Sequence, residues 1–209
     1  MRLLAGFTPH RVEVAAAVLM GAAALATSWS GYESTLWNGE QAKLNGRTSA
    51  MRTCATRAAM QAGQVKTVDV VLFLSWWRAA EEGHEALRAA HEKRFRDEFK
   101  PAFEAWIAMH PQSNPSAPST PFAMPQYRVA YDAEADRCDR ESIVASEAAQ
   151  RANDLGDRYI LTSVIFAVVL FFTGATQSIE GRRARLFVFA FGVAAFVVGL
   201  ASLVRLPVH

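Results

Sequence analysis

Three uncharged apolar runs and one long polar region divide this chain. The runs cover residues 14–32, 159–179 and 186–204, and each contains 19 to 21 residues without Asp, Glu, Lys or Arg. About 20 helical residues cross a hydrocarbon core of about 30 Å. A helix also satisfies its own backbone hydrogen bonds there. The pattern predicts an all-α membrane protein with three transmembrane helices, two of them extended into a periplasmic helical bundle.

The arginines beside these runs predict the orientation. Arg182, Arg183 and Arg185 lie in the short turn between the last two runs, and positive residues in short flanks favour the cytoplasm. With three spans, Arg2 and Arg11 are then cytoplasmic too. Only Arg205 conflicts with this orientation, because it would lie on the periplasmic side. We expect a bacterial inner (cytoplasmic) membrane protein with cytoplasmic residues 1–13 and 180–185, spans 14–32, 159–179 and 186–204, and periplasmic residues 33–158 and 205–209.

The first run has two interpretations. A signal peptide is favoured by its short core, residues 14–25, and by the A-x-A match at 24–26. A retained span is favoured because the uncharged run continues past Trp29 to Tyr32, and aromatic residues suit the headgroup layer. We expect retention and leave cleavage open.

Small residues dominate the first run, which predicts close helix packing in a homo-oligomer. Gly21 and Ala24 are the residues that we expect to pack there. A pore lined by the same helix is the alternative, because it would have hydroxyl groups near its outer end and a carboxylate ring at its mouth. The candidate pore-lining residues are Thr27, Ser28, Ser30 and Glu33.

The polar region is predicted to be helical on both sides of one proline-rich loop. The first helix is expected to reach about Met60 and to end at residues 61–64. Residues 65–109 are expected to be mainly helical, with a break or a restart of the helix at Pro101. The prolines of residues 110–125 predict an extended surface connection, passive or with a binding role.

From Gln126 the chain is expected to be helical again and to continue into the second span. A seam of mostly small residues steps by four and three along this helix: Tyr131, Ala135, Cys138, Ser142, Ala145, Ala149, Ala152, Gly156 and Tyr159.

The only two cysteines, Cys54 and Cys138, are predicted to form a disulfide. Counted from Tyr32 and Tyr159 at the expected outer interface, they lie 22 and 21 residues above the bilayer. At 1.5 Å per residue both are about 32 Å above it. An oxidising compartment favours the bond; two buried cysteines that never meet, or pairing between chains, are the alternatives.

Charge and composition narrow the classes of function. The net charge of +2 comes from the membrane flanks, because residues 33–158 carry 16 basic and 18 acidic groups. No basic stripe with interleaved aromatic residues appears there, so nucleic acid is not an expected partner. The spans carry no ionisable residue, which argues against a coupled transporter.

Candidate chemistry is sparse. His84 and His91 lie seven residues apart with Glu81, Glu85 and Glu92 nearby, but this spacing matches no zinc signature and is more typical of a solvated helix face. No phosphate-binding glycine loop or nucleophile elbow occurs. We expect no metal, no cofactor and no enzymatic activity.

Three segments stand out by their motifs: residues 29–32 with 37–42, residues 95–106 and residues 121–127. They resemble an uncharacterised bacterial family of three-span membrane proteins with a helical periplasmic domain. The resemblance implies the architecture above and no activity. Two functions remain. One is a homo-oligomeric scaffold, sensor or accessory subunit, for which the periplasmic domain offers a surface to a protein partner. The other is a homo-oligomeric ion channel or pore lined by the first transmembrane helix.

Overall fold

The computed structural model describes residues 9–209, which form five α-helices and one 3₁₀ turn and contain no strand. Arg2 and the rest of residues 1–8 lie outside the described residues. The helices are α1 (Pro9–Glu81), α2 (Glu85–Glu92), α3 (Lys100–Ala108), α4 (Ala130–Ala175) and α5 (Arg182–Val204), with the 3₁₀ turn at Pro121–Ala123.

Three of these helices are long and apolar enough to cross a membrane: α1 from Val12 onward, α4 and α5. Their number agrees with the three predicted spans. The turn expected at residues 180–185 lies elsewhere. Residues 176–181 connect α4 to α5, and Arg182, Arg183 and Arg185 belong to the first turn of α5.

The chain divides into two compact units. Among the described residues the first comprises 9–46 and 145–209, and it contains the N-terminal apolar part of α1, the apolar part of α4 and all of α5. Along α4 the predicted small-residue seam is confirmed in this unit, since Ala145, Ala149, Ala152, Gly156 and Tyr159 are all buried.

Close packing of α5 on α4 depends on glycine. A Cβ atom at Gly199 would lie 2.9 Å from Cε1 of Phe166 and 3.1 Å from Cγ2 of Ile165. One at Gly192 would lie 3.3 Å from Cγ2 of Thr173. The small residues of α5, which the sequence analysis did not single out, therefore allow these two helices to approach.

The second unit comprises residues 47–144 and is built around aromatic side chains. Its core joins the end of α1 to α3 and to the segment before α4. The buried members are Phe73, Trp76, Phe95, Phe99, Ala102, Phe103, Trp106 and Met124.

The predicted end of the first helix near Met60 is wrong, because α1 continues to Glu81. A glycine inside a helix costs only about 1 kcal/mol relative to alanine. Tertiary packing holds the helix on both sides of Gly63, because Ala58, Ala62 and Asp69 are buried along one face of α1. The helix ends instead near Gly83, whose φ of 71° a residue with a Cβ rarely adopts.

Helix in residues 65–109 is interrupted at 82–84 and again between α2 and α3. The restart at Pro101 is confirmed, because this proline lies in the first turn of α3, where a missing N–H costs nothing. The continuity of α4 is also confirmed. It begins at Ala130, within a few residues of the predicted Gln126, and runs without a break to Ala175.

Candidate functional site

The most distinctive polar group of the second unit is a buried carboxylate. The side chain of Asp69 on α1 is fully buried, and Arg96 binds it with two parallel hydrogen bonds, from Nε to Oδ1 at 3.0 Å and from Nη2 to Oδ2 at 2.9 Å. The hydroxyl of Tyr127 donates a third bond to Oδ2 at 3.0 Å. Such a two-pronged arginine contact fixes orientation as well as charge.

Electrostatics couples the three members of this group. Burial raises the pKa of Tyr127, and the negative charge of Asp69 raises it further, so the phenol keeps its proton. The hydrogen bond to Asp69 raises the pKa of Arg96. Since a buried charge without its partner is strongly destabilising, the group holds the segments of Arg96 and Tyr127 against α1.

The proline-rich segment is bound to the same core. Phe122 of this segment and Tyr127, just after it, pack around Phe99. The ring centroid of Phe99 lies 5.3 Å from that of Phe122 and 5.8 Å from that of Tyr127. The indole N–H of Trp106 donates to the carbonyl oxygen of Pro118 at 2.7 Å. Residues 110–125 are therefore an irregular surface segment, as expected, with specific anchors.

The structure brings Cys54 and Cys138 to disulfide distance, with the sulfurs 2.04 Å and the Cα atoms 5.9 Å apart. This agrees with the predicted pair and with facing positions on α1 and α4. Lys66 and Asp132 form an ion pair at 2.8 Å between the same helices.

A second buried carboxylate lies in the first unit. Glu33 is 1% exposed, and its Oε2 accepts a hydrogen bond from the backbone N–H of His209 at 3.0 Å. The ring of His209 packs edge-on against Trp37, and the hydroxyl of Tyr159 donates to the carbonyl oxygen of Pro207 at 3.0 Å. The last residues thus pack on α1 and α4.

The other candidate pore-lining residues are not gathered on one face. Ser30 is buried like Glu33, and its Oγ has no hydrogen-bond partner among residues 9–209. Ser28 is exposed and donates to the carbonyl oxygen of Ala24, and Thr27 is half-buried and donates to that of Ala23.

Gly21 and Ala24, the predicted helix-packing residues, are exposed in the single chain. A Cβ at Gly21 would meet no atom within 4 Å. Both positions are therefore open to another helix or to lipid.

His84, directly before α2, and His91 within α2 do not form a metal-binding cluster. His84 pairs with Glu82 at 3.3 Å, and the described part of the chain contains no group of three or more His, Cys, Asp or Glu side chains that could hold a metal ion.

Sequence reasoning missed the group formed by Asp69, Arg96 and Tyr127. One signal for it exists, because Asp69 is the only charge between residues 67 and 77 and lies beside the apolar run that becomes the core. Its partners lie 27 and 58 residues further along, which no local pattern reveals.

No protein-family model, curated protein or solved structure matches this chain. The resemblance to a family of three-span membrane proteins therefore stays a prediction.

Proposed function

We propose that this chain is a non-catalytic three-pass protein of the bacterial inner membrane that assembles with copies of itself and serves as a scaffold, sensor or accessory subunit. Its N-terminus and the start of α5 face the cytoplasm, and residues 33–158 form a periplasmic domain. Among these roles a sensor is the one that the geometry supports best.

The observation that carries the sensor role is the continuity of two helices. Each of α1 and α4 is a single helix that contributes an apolar stretch to the first unit and polar and core residues to the second. A ligand or partner that shifts the second unit therefore acts on helices that continue into the proposed spans. Coupling between distant sites needs such a physical connection.

Assembly through α1 is supported by the open positions at Gly21 and Ala24. A small-residue surface packs more closely on another helix than on lipid. Gly21→Leu or Ala24→Leu should then dissociate the assembly in native membranes. The matched control is Val168→Leu on α4, an exposed position that already carries a bulky side chain.

A homo-oligomeric pore lined by α1 remains the alternative, and the exposed hydroxyl of Ser28 beside Ala24 favours it. The burial of Glu33 within the chain favours the sensor, because a carboxylate that faces a pore is open to water. Ion flux through liposomes that contain the purified protein separates the two. We expect no flux and an oligomer that Gly21→Leu disrupts; cation-selective flux that Glu33→Gln alters would instead establish the pore.

A further inference from the structure

A regular row of exposed residues runs along α1 in the second unit, on the side opposite its buried residues. It consists of Met60, Gln64, Thr67, Val71 and Leu74, which we call the outer seam. The members step by four and three residues, so they lie on one face of the helix. All five are exposed, and Met60, Val71 and Leu74 are 64%, 56% and 57% accessible.

The surface around the outer seam lacks charge. Ten residues of α1 between Arg57 and Arg78 are exposed, and none of them is charged. The only charged side chains in this stretch, Lys66 and Asp69, are both in ion pairs with other segments. In the same unit, by contrast, five of the ten exposed residues of α4 up to Val144 are charged. A continuous uncharged and partly apolar surface of this kind marks a contact with another molecule.

The side chains of the outer seam suit a pair of parallel helices. In the seven-residue repeat of such pairs, Val71 occupies position a and Leu74 position d, a combination that favours two strands. Gln64 lies at the preceding position a, where one polar residue fixes the register. The hydroxyl of Thr67 already donates to the carbonyl oxygen of Gly63 at 2.8 Å, which leaves its methyl group for packing.

A second copy of the chain is the occupant that this face fits. An uncharged face meets its own copy without bringing like charges together, and the amide of Gln64 both donates and accepts, so two copies can pair there. Two chains inserted in one membrane with the same topology point the same way, which places equal residues at equal heights. This packing rests on the proposed assembly through Gly21 and Ala24, which belong to the same helix.

We propose that α1 of a second copy packs on the outer seam, parallel and in register, so that Val71 faces Val71 and Leu74 faces Leu74 of the other chain. Burial of apolar side chains that the single chain exposes to water drives the contact. A strongly charged partner would find no opposite charge on this face. The contact between copies then extends along α1 beyond the proposed span.

Cysteine cross-linking in native membranes tests this packing. Val71→Cys or Leu74→Cys is introduced singly into the otherwise unchanged chain, with copper phenanthroline as the oxidant. We expect most of the chain to become a covalent dimer joined through the introduced thiols, because facing positions of a parallel pair come within reach of a disulfide. A peptide map identifies the new bond and checks that Cys54 and Cys138 are in the same state as in the parent chain.

Two exposed positions of the same unit serve as controls. Val70→Cys lies beside Val71 but about 100° around the helix, and Ile143→Cys lies on α4. The two side chains are 39% and 50% exposed, so both thiols are open to the oxidant. We expect both variants to remain monomeric, because neither position faces its own copy.

Ala24→Cys, in the N-terminal apolar part of α1, reports on the proposed assembly separately. A covalent dimer with Ala24→Cys but none with Val71→Cys or Leu74→Cys would leave the assembly standing and overturn the packing of the outer seam. Equal cross-linking at Val70 and Val71, or cross-linking of Val71→Cys to a different protein only, would overturn it as well. A chain that stays monomeric in every variant would refute both proposals.

Discussion

Arg96 binds both carboxylate oxygens of Asp69, whose side chain is fully buried beside the aromatic core of the second unit. Arg96→Met removes the partner and leaves a buried charge, which should lower the free energy of unfolding by about 3 to 5 kcal/mol. Thermal or denaturant unfolding followed by tryptophan fluorescence measures this, because Trp76 and Trp106 lie in the same core.

The double variant Asp69→Leu with Arg96→Met separates loss of a partner from loss of packing. Replacing both charges by apolar groups is often nearly neutral, so the double variant should recover most of the stability. Arg137→Met, which breaks an exposed pair with Glu141, should cost about 0.5 kcal/mol or less. A double variant as unstable as Arg96→Met would contradict this account of Asp69.

The hydrogen bond from Tyr127 to Asp69 predicts a loss of stability at alkaline pH. Burial raises the pKa of Tyr127 in the folded chain, whereas a tyrosine in the unfolded chain has a pKa of about 10. The proton is therefore released on unfolding above about pH 10, and stability should fall as the pH rises from there toward the folded pKa. Below about pH 10 both states are protonated and this contribution is constant.

Tyr127→Phe should remove this part of the pH dependence and cost about 1 to 3 kcal/mol at neutral pH, because Asp69 loses a donor. The control is Tyr131→Phe, which alters an exposed tyrosine near the start of α4. Unfolding curves from pH 8 to 11 compare the three proteins. An unchanged alkaline slope in Tyr127→Phe would refute the assignment.

Gly199 allows α5 to approach Phe166 and Ile165 of α4. Gly199→Leu should separate these helices and lower the thermal stability of the first unit, since a Cβ at that position already lies 2.9 Å from the Phe166 ring. The matched control is Gly174→Leu, because a Cβ at Gly174 meets no atom within 4 Å. Equal melting temperatures in nanodiscs for both variants would show that the contact does not hold α5 to α4.

The Cys54–Cys138 pair closes a loop of 84 residues. In the chain-entropy model such a bond stabilises by about 4 to 5 kcal/mol, and measured gains are often smaller. Cys54→Ala, Cys138→Ala and the double variant should lose the same stability, because each breaks the same bond. Two free thiols that can be alkylated in protein from native membranes would exclude the disulfide.

Some features follow from local sequence and others do not. The small-residue seam of α4 and the apolar runs are periodic, and both appear in the structure as buried positions and long helices. The Cys54–Cys138 pairing could be predicted from the sequence, because the height of each cysteine along its long helix follows from counting residues from the expected membrane interface. The partners of Asp69 and the burial of Glu33 beneath residues 207–209 depend on tertiary contacts, which no helical period encodes. The end of α1 was misplaced because Gly63 allows a turn without requiring one.

The central claim is that the second unit lies on the periplasmic side of the membrane. The most direct test is to determine from which side of the membrane this unit can be labelled. In a background that carries Cys54→Ser and Cys138→Ser, single cysteines replace Ser116 in the proline-rich segment or Ser178 between α4 and α5, both exposed positions. A thiol reagent that cannot cross the inner membrane is then added to spheroplasts. The account predicts labelling of Ser116→Cys in intact spheroplasts and of Ser178→Cys only after permeabilisation; the reverse pattern would contradict it.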